Sequence, residues 1–367
     1  MKIDVKREEL CRAISIVQRG VNTNSNFSIL NGILIETING RLKLVGSNLD
    51  LRIEIIINCN VIEEGSRVVE SKLLGGIVRS LYDDNVQICS EGNSLKILSG
   101  KSFFNINSKE SSEYPMLPIE KENNSIEIGS EVFKNMIKQT VFATAQGDIT
   151  PILSGALLEV LDNQISLISL DRYRLAVKRE RIEGENSKNV IIPAKTLNEL
   201  SKIIDIESEV IKIFFSKNYI KFNIGEIVVT SILLEGEYVD YNKFLDNDFN
   251  SKITLNKKLF QDSIERAILL NKDQGASLVT LEIKDENMII KSESQVGNFE
   301  DILNIELQGS YLLIGFNAKY LLEGLKVIDS ENINIYFTSK VGPCIIKPEN
   351  DYTYTYLVLP TRSVRNS

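Results

Sequence analysis

The sequence predicts an α+β protein made of three tandem copies of one domain, each with two helices packed on β-sheets. Three observations carry the prediction. The first is a phrase stated three times: Val69-Glu70-Ser71-Lys72-Leu73-Leu74, Ile192-Pro193-Ala194-Lys195-Thr196-Leu197 and Phe316-Asn317-Ala318-Lys319-Tyr320-Leu321. Each reads as the end of a strand, a small residue, a lysine, and a helix whose apolar residues recur at helical spacing. The second is that these lysines lie 123 and 124 residues apart, which divides 367 residues into three domains of ordinary size. The third is a strand echo, Leu30-Asn31-Gly32-Ile33-Leu34-Ile35-Glu36 against Leu153-Ser154-Gly155-Ala156-Leu157-Leu158-Glu159, again 123 residues apart. The expected boundaries are 1–122, 123–248 and 249–367.

Each repeat opens with a short strand (3–5, 126–128, 253–255) followed by an amphipathic helix. The first helix is expected over 7–19, with Leu10, Ala13, Ile14 and Val17 on one face. The second is expected over 130–145, with Phe133, Ile137 and Val141, and the third over 256–272, with Phe260, Ile264, Ala267 and Ile268. Ser130 and Asn256 are the expected N-caps. Two strands come next in each copy (30–36 and 41–45; 153–159 and 164–168; 278–283 and 288–291). Alternation such as Leu51-Arg52-Ile53-Glu54-Ile55 marks a strand buried on one face. The lysine-led helices follow at 72–82, 195–204 and 319–328. The first of them contains Gly75-Gly76, each costing about 1 kcal/mol relative to alanine in a helix interior. Three further strands close each copy. The junctions 109–124 and 235–252 share an acid-tyrosine pair, Glu113-Tyr114 and Glu237-Tyr238, and so belong to the repeat.

Composition excludes several classes of function. The chain contains no histidine, which removes the commonest general base and every Ser-His-Asp or Cys-His triad. The four cysteines, Cys11, Cys59, Cys89 and Cys344, show no paired spacing and are expected as reduced thiols. No apolar run is long enough to span a bilayer, and the charged, alternating start is a strand rather than a signal peptide, so a cytoplasmic protein without membrane contact is expected. No cofactor or metal motif occurs. Gly100-Lys101-Ser102 lacks the first glycine of a phosphate loop, where Leu95 stands, and sits between two strands.

The net charge of −8 argues against nucleic acid until its distribution is considered. Over the six predicted helices basic residues outnumber acidic ones fifteen to seven, so the rest of the chain carries −16. Glutamate is as good a helix former as lysine, so propensity alone does not account for the bias. It points to helices lining one surface that faces a polyanion. A three-domain carboxylate-based enzyme or carbohydrate-binding scaffold is the alternative; it requires clustered acids within one repeat.

The threefold repeat, the turn Asp171-Arg172-Tyr173-Arg174-Leu175 and the ending Leu357-Val358-Leu359-Pro360-Thr361-Arg362 together resemble the bacterial sliding clamp, the β subunit of DNA polymerase III, over effectively the whole chain. The resemblance implies a non-catalytic processivity factor whose DNA-clamp domains form a head-to-tail homodimer, a closed ring around duplex DNA bound without regard to sequence. DNA-facing candidates are Arg12, Lys72, Arg79, Lys138, Gln146, Lys195 and Lys202. By similarity the dimer interface joins Leu73, Leu81, Phe104 and Ile106 to Ile268, Leu269, Glu300 and Asp301. A cleft is implied that accepts short linear peptides from the replicative polymerase subunit, the clamp loader, mismatch-repair proteins and ligase. Its matching positions are Leu153, Leu170, Arg172, Tyr173, Arg174, Leu175, Val239, Phe244, Asn317, Tyr320, Val341, Pro343, Leu357, Leu359, Pro360, Thr361 and Arg362. The chain departs from the family pattern at Val239, at Asn24 and in the extension 363–367.

Overall fold

The computed structural model describes residues 1–21, 27–115, 124–147, 150–183, 187–204, 209–245, 248–271 and 277–361. Asn24, Arg362 and the extension 363–367 lie outside the described residues.

The first repeat comprises β1 (Lys2–Lys6), α1 (Arg7–Val17), β2 (Gly32–Ile38), β3 (Arg41–Ser47), β4 (Leu51–Ile57), β5 (Asn60–Glu63), β6 (Ser66–Glu70), α2 (Ser71–Ser80), β7 (Asn85–Glu91), β8 (Ser94–Ser99) and β9 (Ser102–Lys109). The second comprises β10 (Asn124–Gly129), α3 (Ser130–Thr140), β11 (Gly155–Leu161), β12 (Gln164–Leu170), β13 (Arg174–Arg181), β14 (Lys188–Pro193), α4 (Ala194–Ile203), β15 (Val210–Phe215), β16 (Tyr219–Ile224) and β17 (Ile227–Ile232). A one-turn helix, α5 (Asn242–Leu245), precedes the third. That copy holds β18 (Ser251–Asn256), α6 (Lys257–Ile268), β19 (Leu278–Lys284), β20 (Asn287–Ser294), β21 (Gly297–Asn304), β22 (Glu306–Gly309), β23 (Leu312–Asn317), α7 (Ala318–Lys326), β24 (Asn332–Phe337), β25 (Cys344–Pro348) and β26 (Tyr354–Val358).

The chain divides into two compact units, 1–131 with 198–233, and 132–197 with 234–367. The division falls inside the second repeat because sheets run across the repeat junctions. In the first unit one sheet has the order β10-β15-β16-β17-β4-β3-β2-β6-β9-β8-β7-β1-β5. Here β17 pairs with β4 of the preceding repeat, Val229 opposite Ile53. In the second unit the order is β14-β11-β12-β13-β26-β25-β24-β18-β22, and β13 pairs with β26 of the following repeat, Leu175 opposite Leu357. A separate four-stranded sheet runs β21-β20-β19-β23.

One rule therefore makes both junctions: the third strand of the early meander in one copy pairs with the last strand of the next copy. This rule leaves one strand of each kind without its counterpart: among the described residues, β21, the third meander strand of the last copy, pairs only with β20, and the 102–107 stretch of β9, the last strand of the first copy, pairs only with β8.

The junction tyrosines explain the acid-tyrosine echo. The Tyr114 hydroxyl lies 3.5 Å from the Gly32 carbonyl and 3.3 Å from that of Val45. Tyr238 donates in the same way to Gly155 at 3.2 Å and approaches Ile168 at 3.5 Å. Each phenol clasps the first two strands of its own repeat. Gly155 is fixed by crowding, since a Cβ there would stand 2.7 Å from the Ile192 carbonyl oxygen.

The helices differ from expectation at their ends. Those expected to reach Arg19, Ala145 and Lys272 stop at Val17, Thr140 and Ile268, each tightening into a 3₁₀ turn (Gln18–Gly20, Val141–Ala143, Leu269–Asn271). In the second, Thr140 leaves helical geometry and its hydroxyl donates back to the Met136 carbonyl at 2.7 Å. In the first, the backbones of Gly20 and Gly46 meet so closely that a Cβ on Gly20 would lie 2.5 Å from the Gly46 carbonyl oxygen. Asn256 caps α6 as expected, accepting from Leu259 N–H at 3.0 Å. Ser130 does not cap: it is the first residue of α3, and its buried hydroxyl has no hydrogen-bond partner among the described residues. The glycine-bearing α2 forms because the Glu70 carboxylate caps it, accepting from the N–H groups of Lys72 and Leu73.

Candidate functional site

Lys72, Lys195 and Lys319 each occupy the second position of a helix, and all three are exposed. A cation there opposes the helix macrodipole at a cost of about 0.3–1 kcal/mol. Lys319 also pairs along its helix with Glu323 at 3.9 Å, but for Lys72 and Lys195 the helix start gives no such reason, whereas attraction to an anion does. Of the other cations proposed from sequence, Lys138 is exposed. Lys202 is held by Glu199 at 2.8 Å, and Glu199 also receives Arg19 at 3.0 Å. Burial raises the Glu199 pKa, but these two cations outweigh it and hold the carboxyl below its usual range. Arg79 reaches the Gln18 amide oxygen at 3.4 Å, while Arg12 and Gln146 are exposed.

The residues expected to form a peptide cleft fall into two connected groups. Leu153, Leu170, Leu175 and Leu357 are nearly buried in one apolar cluster with Ile345 and Tyr241, against which Leu234, Tyr238 and Leu245 pack. The cross-strand register sets Leu170, Leu175, Leu357 and Ile345 opposite one another on a single sheet face. Beside this floor, the Tyr173 and Tyr320 rings stack with centroids 5.8 Å apart. Leu359 N–H donates to the Tyr173 carbonyl at 2.8 Å, and Thr361 N–H to the Gly315 carbonyl at 2.9 Å. Exposed apolar side chains stand at Tyr173, Val239, Phe244, Val341 and Leu359. Arg172 is exposed, and Pro343 and Pro360 are half-buried. Asn317 serves first as the N-cap of α7, accepting from Lys319 N–H at 3.0 Å.

Arg174, one of the expected cleft positions, does not line the surface. It is 6% exposed and lies beneath the surface, with Nε 3.0 Å from Asp171, Nη1 on Glu323 and Nη2 2.9 Å from the Phe142 carbonyl oxygen. Its guanidinium covers the Tyr320 ring at 4.6 Å and the Phe142 ring at 5.5 Å. Burial disfavours its charge, but hydrogen bonding to Glu323 and the neighbouring Tyr356, Glu323 and Asp171 hold the proton more firmly than in an ordinary arginine. Sequence reasoning missed Phe142 and Glu323. A signal was available: Asp171 Oδ1 accepts from residues 173 and 174 as Asn48 Oδ1 accepts from 50 and 51, so Arg174 replaces the buried Leu51.

Of the proposed interface residues, Leu73 and Leu269 are exposed, as is Glu300, and Phe104, Ile106, Ile268 and Asp301 are half-buried. Leu81 is 5% exposed and cannot present a contact face, which corrects that expectation. Two exposed apolar residues were not anticipated, Phe103 on β9 and Ile302 on β21, both on the strands left with an open edge. Asp301 is tied to Arg266. Burial raises its pKa, but hydrogen bonds from Arg266 and Ser263 more than offset this and lower it.

Serial copies of a two-helix, sheet-backed domain, with cations at the helix starts, define a DNA clamp. Sequence models of the DNA polymerase III beta subunit match the chain over its N-terminal (1–118), central (127–240) and C-terminal (242–362) domains. The beta sliding clamps of Staphylococcus epidermidis and Bacillus subtilis are each 32% identical to it, covering 99% of this chain and 100% of theirs. The crystal structure of the Bacillus subtilis DNA polymerase sliding clamp superposes with a TM-score of 0.96 at 31% identity, covering 99% of both chains. A putative DNA polymerase III beta subunit from Eubacterium rectale gives 0.95 at 32%, covering 99% of this chain and 100% of that one. The chain belongs to the DNA polymerase III β-subunit family, the sliding clamps. It serves replication as a non-catalytic processivity factor, which sets aside the carboxylate-enzyme and carbohydrate-scaffold alternative.

Proposed function

We propose that two copies of the chain join head to tail into a closed ring around duplex DNA, with domains 1–122, 123–248 and 249–367. The observation that carries this reading is the pair of strands that the junction rule leaves with one open edge. Both repeat junctions within the chain join the third meander strand of one copy to the last strand of the next, and the strands left without such a partner are β21 and β9. A second molecule satisfies both, and two different surfaces meeting reciprocally close a ring. Gly225 repeats Gly100 and Asn287 repeats Arg41, so the Val229–Ile53 pair maps onto Phe104 of one copy opposite Phe299 of the other.

Duplex DNA is held topologically, and the helix cations make salt-sensitive, sequence-independent phosphate contacts. Lys72, Lys138 and Lys195 are the leading contacts, with Arg12, Arg79, Gln146 and Lys202 supporting. The apolar floor, Tyr173, Tyr320 and the segment that follows β26 at Leu359 receive peptide anchors from the polymerase subunit, clamp loader, mismatch-repair proteins and ligase. The protein acts in the cytoplasm.

The test is retention. Loaded on nicked circular DNA, the protein should remain bound through a high-salt wash and leave within seconds of linearisation. A monomer at micromolar concentration that leaves circles and linear DNA equally fast sinks the reading.

A further inference from the structure

The sheet face that forms the cleft floor does not end there. Leu175, Leu357 and Ile345 lie opposite one another in register, and the row continues to Tyr336 and Lys252. Residues paired directly across an antiparallel sheet share a face, as do residues two apart in a strand. Lys347, two residues beyond Ile345, and Arg179, four beyond Leu175, therefore face the same side.

At this end the surface changes character. The Lys252 and Lys347 ammonium groups each stand 5.8 Å from the centroid of the Tyr336 ring. Phe249 packs against that ring at 5.1 Å. Burial, and beyond it the charge of Arg179, press the Lys347 pKa down. None of the three cations takes part in an ion pair among the described residues. Elsewhere the acids of this end are engaged: Asp351 receives Lys178 at 3.1 Å, and Glu349 accepts from the Asn332 amide at 3.1 Å.

We propose that this aromatic–cationic patch is a specificity site for an acidic flank on the peptides that anchor in the cleft. The proposal rests on the cleft reading above. Charge complementarity selects the flank: two lysines over one ring, with Arg179 close enough to act on Lys347, attract two to four carboxylates, and the ring supplies a face for an aromatic residue among them. Distance fits as well. Three strand spacings separate Leu357 from Lys252, about 14 Å, which about four extended residues cover.

The test uses the full-length protein and fluorescence polarisation. The probes are labelled peptides with glutamine, leucine and phenylalanine anchors, extended at either end by four glutamates or four serines. The glutamate flank at one end should tighten binding about fivefold to tenfold at low salt. K252E/K347E, or K252Q/K347Q where charge reversal disturbs folding, should abolish that gain and leave the serine-flanked peptide unchanged. Equal affinity of all flanks, or a gain that survives the substitutions, overturns the proposal. A hexaglutamate peptide without anchors separates the two readings. If anchored peptides fail but hexaglutamate binds in a Lys252/Lys347-dependent way, the cleft reading falls and the acidic-segment site stands. If neither binds, the site falls too. Tighter substitution-sensitive binding of oligo-dT than of the glutamate peptides assigns the patch to single-stranded DNA and refutes the acidic-flank assignment.

Discussion

Replacing Arg174 by alanine tests whether one buried cation sets the geometry of the cleft. The substitution removes the bond to Asp171 at 3.0 Å, the pairing with Glu323, the bond to the Phe142 carbonyl at 2.9 Å and the contact over Tyr320 at 4.6 Å. Breaking a buried pair by deleting one partner costs about 3–5 kcal/mol. Two features place Arg174→Ala below the top of that range. Asp171 retains the N–H groups of residues 173 and 174, and the Glu323 side chain is 30% exposed. A loss of about 2–4 kcal/mol is expected, which in a unit of this size lowers Tm by roughly 5–12 °C. Differential scanning calorimetry reads that shift, and peptide binding should weaken at least tenfold because Tyr173 and Tyr320 lose their support. Arg174→Lys keeps the charge without the fork and should fall between. The double variant R174L/E323Q, which restores the apolar residue of the first repeat, should recover most of the stability but not the binding. A change in Tm under about 2 °C for Arg174→Ala, with peptide affinity intact, would show that the guanidinium neither braces this region nor positions the cleft.

Other outcomes follow from the same structure. A charge at either edge strand, Phe103→Asp or Ile302→Lys, should yield monomers by light scattering at micromolar concentration while leaving the circular dichroism spectrum unchanged. Substituting Lys72, Lys138 and Lys195 together with glutamine should reduce the slope of log K against log salt for DNA by about 2–3, near 0.9 per lost phosphate contact. Gly76→Ala should stabilise by about 1 kcal/mol, because a Cβ at that helical position meets nothing within 4 Å among the described residues. Burial pushes the Tyr114 hydroxyl up to about 12, against the Ser47 hydrogen bond and the Arg52 charge that lower it. The folded state therefore holds this proton more tightly than the unfolded chain, whose phenols titrate near 10. Its contribution is complete below pH 10 and is lost as pH rises through 12. Tyr114→Phe should lose stability at neutral pH and show a shallower decline than wild type between pH 10 and 12 in urea unfolding.

Most of the architecture was legible because repetition amplifies weak local signals. Apolar residues at positions such as 10, 13, 14 and 17 set a helix whatever its partners, and the spacing of Lys72, Lys195 and Lys319 counted the copies. Helix ends were read too long, since Gly20 meeting Gly46 and the hydroxyl of Thr140 act through backbone contacts that periodicity does not encode. At the cleft, the apolar floor could be named from its residues. Arg174 was expected among the cleft-lining positions, and its burial could not be read from the sequence because it depends on Glu323 and Phe142, 149 and 32 residues away.

The sequence by itself determined the repeat, the helix cations, the absence of histidine chemistry and the family. Tertiary structure decided which strand edges are left unpaired, which arginine lies beneath the cleft and which cations gather around Tyr336. The division has a physical cause. Periodicity and composition act over a few residues and survive in a linear string. Strand pairing across repeats and the burial of a charge depend on partners brought together only by the fold.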